Sequence, residues 1–254
     1  MATYAMTGGA TGIGAALKDQ LRERGDTVIV VDIKDADVVA DLSTAEGRTA
    51  AVDGVHAKAS DGLDGFVPCA GLGPHVGNPG LVARVNYFGV IATVEGVRDL
   101  LEKKKGSICF VSSNSAPMIA SDDPFVQLLL SGDEAAACAD VDAKDGQTAY
   151  AGSKRAVTIW MRQNVKEYAS QGVRMNAVAP GITRTPLTDA GMESKDYGEA
   201  MRMFEQMTPV GGSAEPGQIA NAMRFLLSPE ASFVCGAVLF ADGGTDALMR
   251  PKDF

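Results

Sequence analysis

The sequence is poor in the residues that bind metals and build disulfide scaffolds. Two histidines, His56 and His75, and four cysteines, Cys69, Cys109, Cys138 and Cys235, are spread over 254 residues with no CxxC pair. Zinc-ligand spacing is missing, so no metal site is expected. Unpaired thiols fit a reducing, cytoplasmic setting better than an oxidising one. Positive charge is also short: 23 Lys and Arg against 32 Asp and Glu leave a net charge of −9. Such a balance disfavours nucleic acid and anionic membranes as partners. No apolar run reaches the roughly 18 residues that a membrane-spanning helix needs. The opening MATYAMTGG lacks the basic start and apolar stretch of a secretion signal, and none is expected. No repeat or low-complexity linker divides the chain. With 46% hydrophobic residues, one domain over residues 1–254 is the expectation.

What is present is an alternation of strand-like and helix-period segments. Residues 3–6, 27–31, 65–67, 107–111, 173–178 and 237–240 are short apolar or β-branched runs without polar alternation, as strands buried on both faces should be. Between them, residues 13–24 put Ile13, Leu17 and Leu21 on one helical face. Residues 81–104 and 147–168 read as long helices. This rhythm predicts an α/β fold: a single Rossmann-type, doubly wound parallel sheet with helices on both faces. Two stretches break it. Residues 115–146 are expected to add two short helices above the sheet, in which Phe125, Leu128 and Leu129 can cap the core. Proline and glycine mark a loop region from 180 to about 212, with 182–212 as a candidate substrate flap. Its methionines, Met192, Met201, Met203 and Met207, suit either an adaptable apolar ligand surface or plain core.

The turn Thr7-Gly8-Gly9-Ala10-Thr11-Gly12-Ile13-Gly14 lies directly after a strand and directly before a helix. Glycine is needed there for a tight turn, for close backbone approach to a pyrophosphate and for helix–strand packing. The helix start then offers free N–H groups to the anion. Asp32 ends the next strand, where a carboxylate accepts the adenosine ribose hydroxyls and repels a 2′-phosphate. That combination points to NAD rather than NADP. Asp41 and Leu42 follow, near the adenine; a helix cap at Asp41 or Ser43 accounts for the same residues.

Tyr150-Ala-Gly-Ser-Lys154 sets a phenol and an ammonium four apart, on one helical face. A free tyrosine, with a pKa of about 10, is too weak an acid for proton transfer near neutrality. A nearby cation favours the phenolate. Such a tuned acid/base is what alcohol–ketone interconversion requires. Ser112-Ser113 follow the 107–111 strand, at the strand end where open α/β sheets bind ligands, so a hydroxyl there can meet a substrate oxygen.

Taken together, TGGATGIG, Asp32, Cys69-Ala70-Gly71, Asn86, Ser113, YAGSK and Pro180-Gly181 resemble the short-chain dehydrogenase/reductase family in order and spacing, over essentially the whole chain. VADLSTAEGR, CAGLGP, VNYFG, YAGSK and DALMRP are similar to its bacterial 3α-hydroxysteroid dehydrogenase/carbonyl reductase subgroup. The resemblance implies an NAD-dependent oxidoreductase of secondary alcohols and ketones, with a steroid-sized or bulky carbonyl substrate. It implies Tyr150 as catalytic acid/base, Lys154 lowering its pKa and holding the nicotinamide ribose, Ser113 on the substrate oxygen and Asn86 placing a water that leads to Lys154. Cofactor contacts would come from Thr7, Gly8, Thr11, Gly12, Ile13, Gly14, Asp32, Ile33, Asp41, Leu42, Cys69, Ala70, Gly71, Tyr150, Lys154, Pro180 and Gly181. Thr183 and Thr185 would meet the carboxamide. Cys69 departs from the asparagine usual in the family, and a thiol is the weaker hydrogen-bonding group. A homodimer or homotetramer is implied, the 115–146 insertion favouring the dimer. The tail 249–254 is expected near the site or a second subunit. Two other functions fit the residues: an aryl or cyclic secondary alcohol dehydrogenase of a catabolic pathway, and an NAD-binding sensor without turnover.

Overall fold

The computed structural model describes residues 1–253. Strands that are apolar on both sides need cover on both faces, and the helices between them supply it. The strands are β1 (Thr3–Thr7), β2 (Thr27–Asp32), β3 (Val38–Val39), β4 (Gly65–Pro68), β5 (Ser107–Val111), β6 (Arg174–Pro180) and β7 (Val238–Ala241). They form one sheet in the order β3-β2-β1-β4-β5-β6-β7, every pairing parallel. The chain winds outward from β1 to β3 and then crosses to set β4 on the other side of β1. The crevice beyond the carboxyl ends of β1 and β4 is therefore the switch point, where ligands bind in this class of fold.

The helices are α1 (Gly12–Glu23), α2 (Ala45–Lys58), α3 (Pro79–Ala83), α4 (Val90–Gly96), α5 (Arg98–Lys104), α6 (Pro124–Ser131), α7 (Glu134–Asp142), α8 (Gly146–Ser170), α9 (Pro186–Glu193), α10 (Gly198–Met207), α11 (Pro216–Leu227) and α12 (Thr245–Met249). Leu17 and Leu21 of α1 and Ile219 and Met223 of α11 cover one face of the sheet. Val55 of α2, Val94 of α4 and Val157 and Met161 of α8 cover the other. Burying each such side chain contributes about 1.5–3 kcal/mol.

The six expected strands and the helices expected over 13–24 and 147–168 fall within two or three residues of their sequence expectation, and the two short helices of the insertion are α6 and α7, whereas β3, α11 and α12 have no counterpart in it. Four further features differ. The helix expected over 81–104 is broken by a π-turn, Arg84–Gly89, and again at Val97 (φ −105°, ψ 9°). The break leaves the apolar stripe intact, so periodicity does not report it. The region from 180 to 212 is not mainly loop, since α9 and α10 lie in it; Thr185 caps α9 by accepting from the Thr188 N–H at 3.2 Å, with Pro186 at its first position. Helix α2 has no sequence counterpart because Gly47 and Gly54 interrupt it. Both are forced: a Cβ on Gly47 would lie 1.9 Å from the Asp41 carbonyl oxygen and one on Gly54 2.4 Å from Val38. The cap of α2 is Thr44, accepting from the Gly47 N–H at 3.0 Å, rather than Asp41 or Ser43. Of the tail, Arg250 folds back on Asp246 and lies over the Phe240 ring, while Phe254 is outside the described residues.

Candidate active site

The site begins at the glycine turn between β1 and α1. Gly8 and Gly12 have positive φ, +74° and +59°, which only glycine adopts readily. A Cβ on Gly8 would lie 2.6 Å from the Ala70 backbone, and one on Gly14 2.0 Å from the Gly8 carbonyl oxygen. The turn is thus closed around its own backbone. Thr11 is extended and makes no side-chain cap, so the first-turn N–H groups of α1 at Gly12 and Ile13 have no capping side chain, while the Gly14 N–H is directed at the Cys69 sulfur. Thr7 is buried and its Oγ1 accepts from the Ala70 N–H at 3.1 Å, tying the turn to the Cys69-Ala70-Gly71 loop after β4.

Asp32 stands at the end of β2 beside this turn. Its Oδ2 accepts from the Ala10 N–H at 3.0 Å and its Oδ1 from the Ile33 N–H at 2.8 Å. The carboxylate is only partly buried, so both oxygens keep lone pairs toward solvent, and Ile33 next to it is exposed. Further along the same rim, the Ser43 hydroxyl and N–H hold the Asp41 carboxyl below its usual range. Leu42 is buried, against Gly89.

Ser113, just past β5, is buried, and its hydroxyl shares a hydrogen bond of 2.9 Å with Ser115. Tyr150 and Lys154 come from one face of α8, whose start is capped by Asp145. Lys154 is 4% exposed; its Nζ donates to the Val111 carbonyl at 2.8 Å and lies 6.0 Å from the centre of the Tyr150 ring. Burial pulls the Lys154 ammonium down to about 8. Burial also raises the Tyr150 phenol, and the group that opposes this is the Ser113 hydroxyl. Lys154 was expected to do so; its Nζ is instead committed to the end of β5. Burial pushes the Cys69 thiol up to about 11 against the pull of Lys154, which removes it as a nucleophile.

Asn86 lies in the π-turn and is fully buried. Its Oδ1 accepts from the Leu72 N–H at 2.8 Å and its Nδ2 donates to the Leu72 carbonyl at 3.0 Å. Gly71 stands between these parts: a Cβ there would lie 3.3 Å from Asn86 Oδ1 and 3.6 Å from Lys154 Nζ. On the far side, the Pro180 carbonyl accepts from the Asn114 N–H at 3.0 Å, and Gly181 abuts Asp242. Thr183 is buried with its hydroxyl on the Gly181 carbonyl, and Thr185 reaches the turn itself, 3.1 Å from where a Gly12 Cβ would be. The flap lies against this rim. Leu187 of α9 meets Gly73, Met201 of α10 packs on Gly191, and the Tyr197 hydroxyl comes to Gly146. Sequence reasoning passed over Ser115, the partner of Ser113; a second serine two residues on was the available signal.

Comparison with known proteins adds the following. The short chain dehydrogenase family profile matches residues 2–120, and the profile described as enoyl-(acyl carrier protein) reductase matches residues 135–246. The 3-alpha-hydroxysteroid dehydrogenase/carbonyl reductase of Comamonas testosteroni is 43% identical over the full length of both chains. The crystal structure of the 3-alpha-hydroxysteroid dehydrogenase from Pseudomonas sp. B-0831, complexed with NADH, superposes with a TM-score of 0.96 at 46% identity, covering 99% of this chain and 100% of that one. Levodione reductase shares the fold, with a TM-score of 0.77 at 24% identity over 97% and 98% of the two chains.

Proposed function

Because this chain belongs to the short-chain dehydrogenase/reductase family, we propose that it interconverts a secondary alcohol and a ketone with NAD, and that its alcohol is a 3α-hydroxysteroid or a carbonyl partner of similar bulk. The observation that carries this reading is the convergence at Gly71, where the loop that supports the glycine turn meets Asn86 and Lys154. The residues fit a dinucleotide. The tight turn and the uncapped start of α1 suit its pyrophosphate, and Asp32 suits the adenosine ribose. Thr7, Thr11 and Ile33 belong to that half of the site, with Asp41 and Leu42 toward the adenine. Cys69, Ala70, Pro180, Gly181, Thr183 and Thr185 line the half toward the nicotinamide. When bound, NAD supplies the acceptor for the hydride of the carbinol carbon.

The chain supplies placement and the proton. Ser113 holds the substrate oxygen, and Tyr150 Oη takes the hydroxyl proton in oxidation or returns it in reduction. Lys154, charged below about pH 8, provides the cation of the site and a hold on the nicotinamide ribose. Asn86 keeps the Leu72 backbone in place and directs water toward Lys154. The segment 182–212 acts as the substrate flap; Leu187, Met203 and Met207 expose apolar surface on it, which suits a large apolar ligand.

The test is NADH formation when NAD and a 3α-hydroxysteroid are added together, with aryl and cyclic secondary alcohols alongside for comparison of kcat/KM. The steroid is expected to lead, NAD is expected to be preferred over NADP, and Asp32→Ala is expected to narrow that preference about tenfold by removing the repulsion of a 2′-phosphate. Better turnover of the smaller alcohols would replace the substrate reading. NADH binding with no turnover of any alcohol would leave a sensor.

Assembly as a homodimer completes the proposal. Strand β7 is an edge of the sheet, and Phe225, Phe233 and Leu239 on and beside it are 45%, 103% and 39% exposed. An apolar edge of this kind is ordinarily covered. Light scattering is expected to give a dimer mass that falls to the monomer in Phe233→Glu/Leu239→Glu; a parent monomer contradicts the proposal, and a parent homotetramer would mean that a second face is used. Among the described residues no helix is long and apolar enough to cross a membrane. The four cysteines are free, in support of a cytoplasmic setting.

A further inference from the structure

Arg48 of α2 carries a guanidinium that the reaction as described does not use. The residue is 8% exposed. Its Nε donates to the Leu42 carbonyl at 2.8 Å, and Nη2 donates to the Arg84 carbonyl at 3.3 Å and to that of Ser43 at 3.5 Å. Both Nη atoms also reach the Glu134 carboxylate, at 2.6 and 2.9 Å. Glu134 is the first residue of α7 and lies 3.6 Å from Arg84 Nε as well. One fork of donors therefore joins four pieces of chain: α2, residues 41–43, the π-turn and the insertion.

Two of those pieces border the site. Arg84 opens the π-turn, and Asn86, two residues on, holds the Leu72 backbone by both its groups. Leu72 adjoins the Cys69-Ala70-Gly71 loop, so a displacement of the π-turn reaches Gly71 and its neighbour Lys154. On the other side, Leu42 is drawn against Gly89, where a Cβ would lie only 3.0 Å from its own. A buried ion pair by itself is weak evidence of stabilisation, because desolvation offsets the attraction. What this one adds is geometry, since a planar guanidinium satisfies several acceptors only when they hold fixed relative positions.

We propose that Arg48, oriented by Glu134, is a positioning residue: it fixes the turn bearing Asn86 and the loop bordering the adenine in one register, so that the insertion sets both cofactor affinity and turnover. The assignment rests on the proposed roles of Asn86, Asp41 and Leu42. In Arg48→Met three backbone carbonyls and a carboxylate lose their donors; in Glu134→Gln, at a partly exposed position, the arginine keeps its carbonyls and loses its countercharge. NADH affinity by fluorescence titration, kcat with the preferred alcohol, and Tm are measured on the full chain.

Arg48→Met is expected to raise the NADH Kd and lower kcat by about tenfold each, and Glu134→Gln by about threefold each. Arg48→Lys is expected to follow the methionine variant, because a single ammonium cannot span the acceptors. A strut that only supports the fold would lower Tm and leave the other two quantities alone. Glu134→Gln with Kd or kcat within 1.5-fold of the parent overturns the proposal, whether or not Arg48→Met folds. If the parent binds NADH but turns over no alcohol, the reaction proposed above is what fails, and the shift in Kd alone decides the role of Arg48.

Discussion

Phenylalanine at position 150 is expected to lower kcat about a thousandfold, roughly 4 kcal/mol, while leaving NADH binding within about threefold of the parent. The substitution removes one oxygen and keeps the ring, which packs against the core. What is lost is the hydroxyl on α8 to which the proposed mechanism gives the proton exchange with a substrate held by Ser113. The pH dependence of the parent gives a second reading of the same group. Burial raises the phenol above its ordinary value, so near neutrality Tyr150 carries its proton. Oxidation needs the proton off, and its rate is expected to rise with pH from neutrality upward; reduction needs it on, and its rate is expected to hold until pH approaches the raised phenol value and to fall only there. Lys154, at about 8, is still charged at the start of that rise. In Tyr150→Phe both limbs should flatten. A kcat within tenfold of the parent would remove Tyr150 from the chemistry.

The second large effect is at Gly14. Alanine there is expected to weaken NADH binding at least about a hundredfold in a fluorescence titration. The reason is space. Gly14 does not have positive φ, and alanine is the better helix former by about 1 kcal/mol, so neither backbone conformation nor propensity opposes it. Its Cβ would nonetheless sit 2.0 Å from the Gly8 carbonyl oxygen. Gly8 cannot retreat, because it is packed on Ala70 and its N–H is bonded to the Val31 carbonyl at 2.9 Å. The turn has to open, carrying with it the N–H groups proposed to meet the pyrophosphate. Gly217→Ala is the control, since there a Cβ meets only Gln20, at 3.7 Å. A Gly14→Ala Kd within tenfold of the parent would show that the turn is looser than its packing indicates.

The sheet was legible because parallel strands buried on both faces leave a plain apolar signature, and the glycine turn because its place between strand and helix is local. Part of the candidate site left a local mark for a related reason: the glycine turn, Asp32 and Ser113 lie at strand ends, and Tyr150 and Lys154 lie one helical turn apart, whereas Asn86, inside the π-turn, was pointed to only by the family resemblance. Elements that depend on distant contacts were hidden. Helix α2 looks poor by propensity, and its two glycines make sense only against Asp41 and Val38. The π-turn keeps the apolar stripe and so left no mark. Helix α11 did carry a signal that went unread, Glu215-Pro216 with Gln218, whose side chains form a capping box. The balance at Tyr150 was invisible for another reason. Spacing places a cation beside a phenol, but only coordinates show how deeply both are buried and that the ammonium is bonded elsewhere.

Gly152 lies between Tyr150 and Lys154 on α8, and a Cβ there would sit 2.6 Å from the ring of Phe125. Phe125 belongs to α6 and is fully buried. The insertion therefore occupies the volume that any side chain at 152 would claim. A variant that gained one would have to reshape α6, and a variant without α6 would leave a hole the size of a phenyl ring against α8. Glycine in the middle of YAGSK and the insertion are sterically coupled, and transplanting either into another framework means carrying the other along.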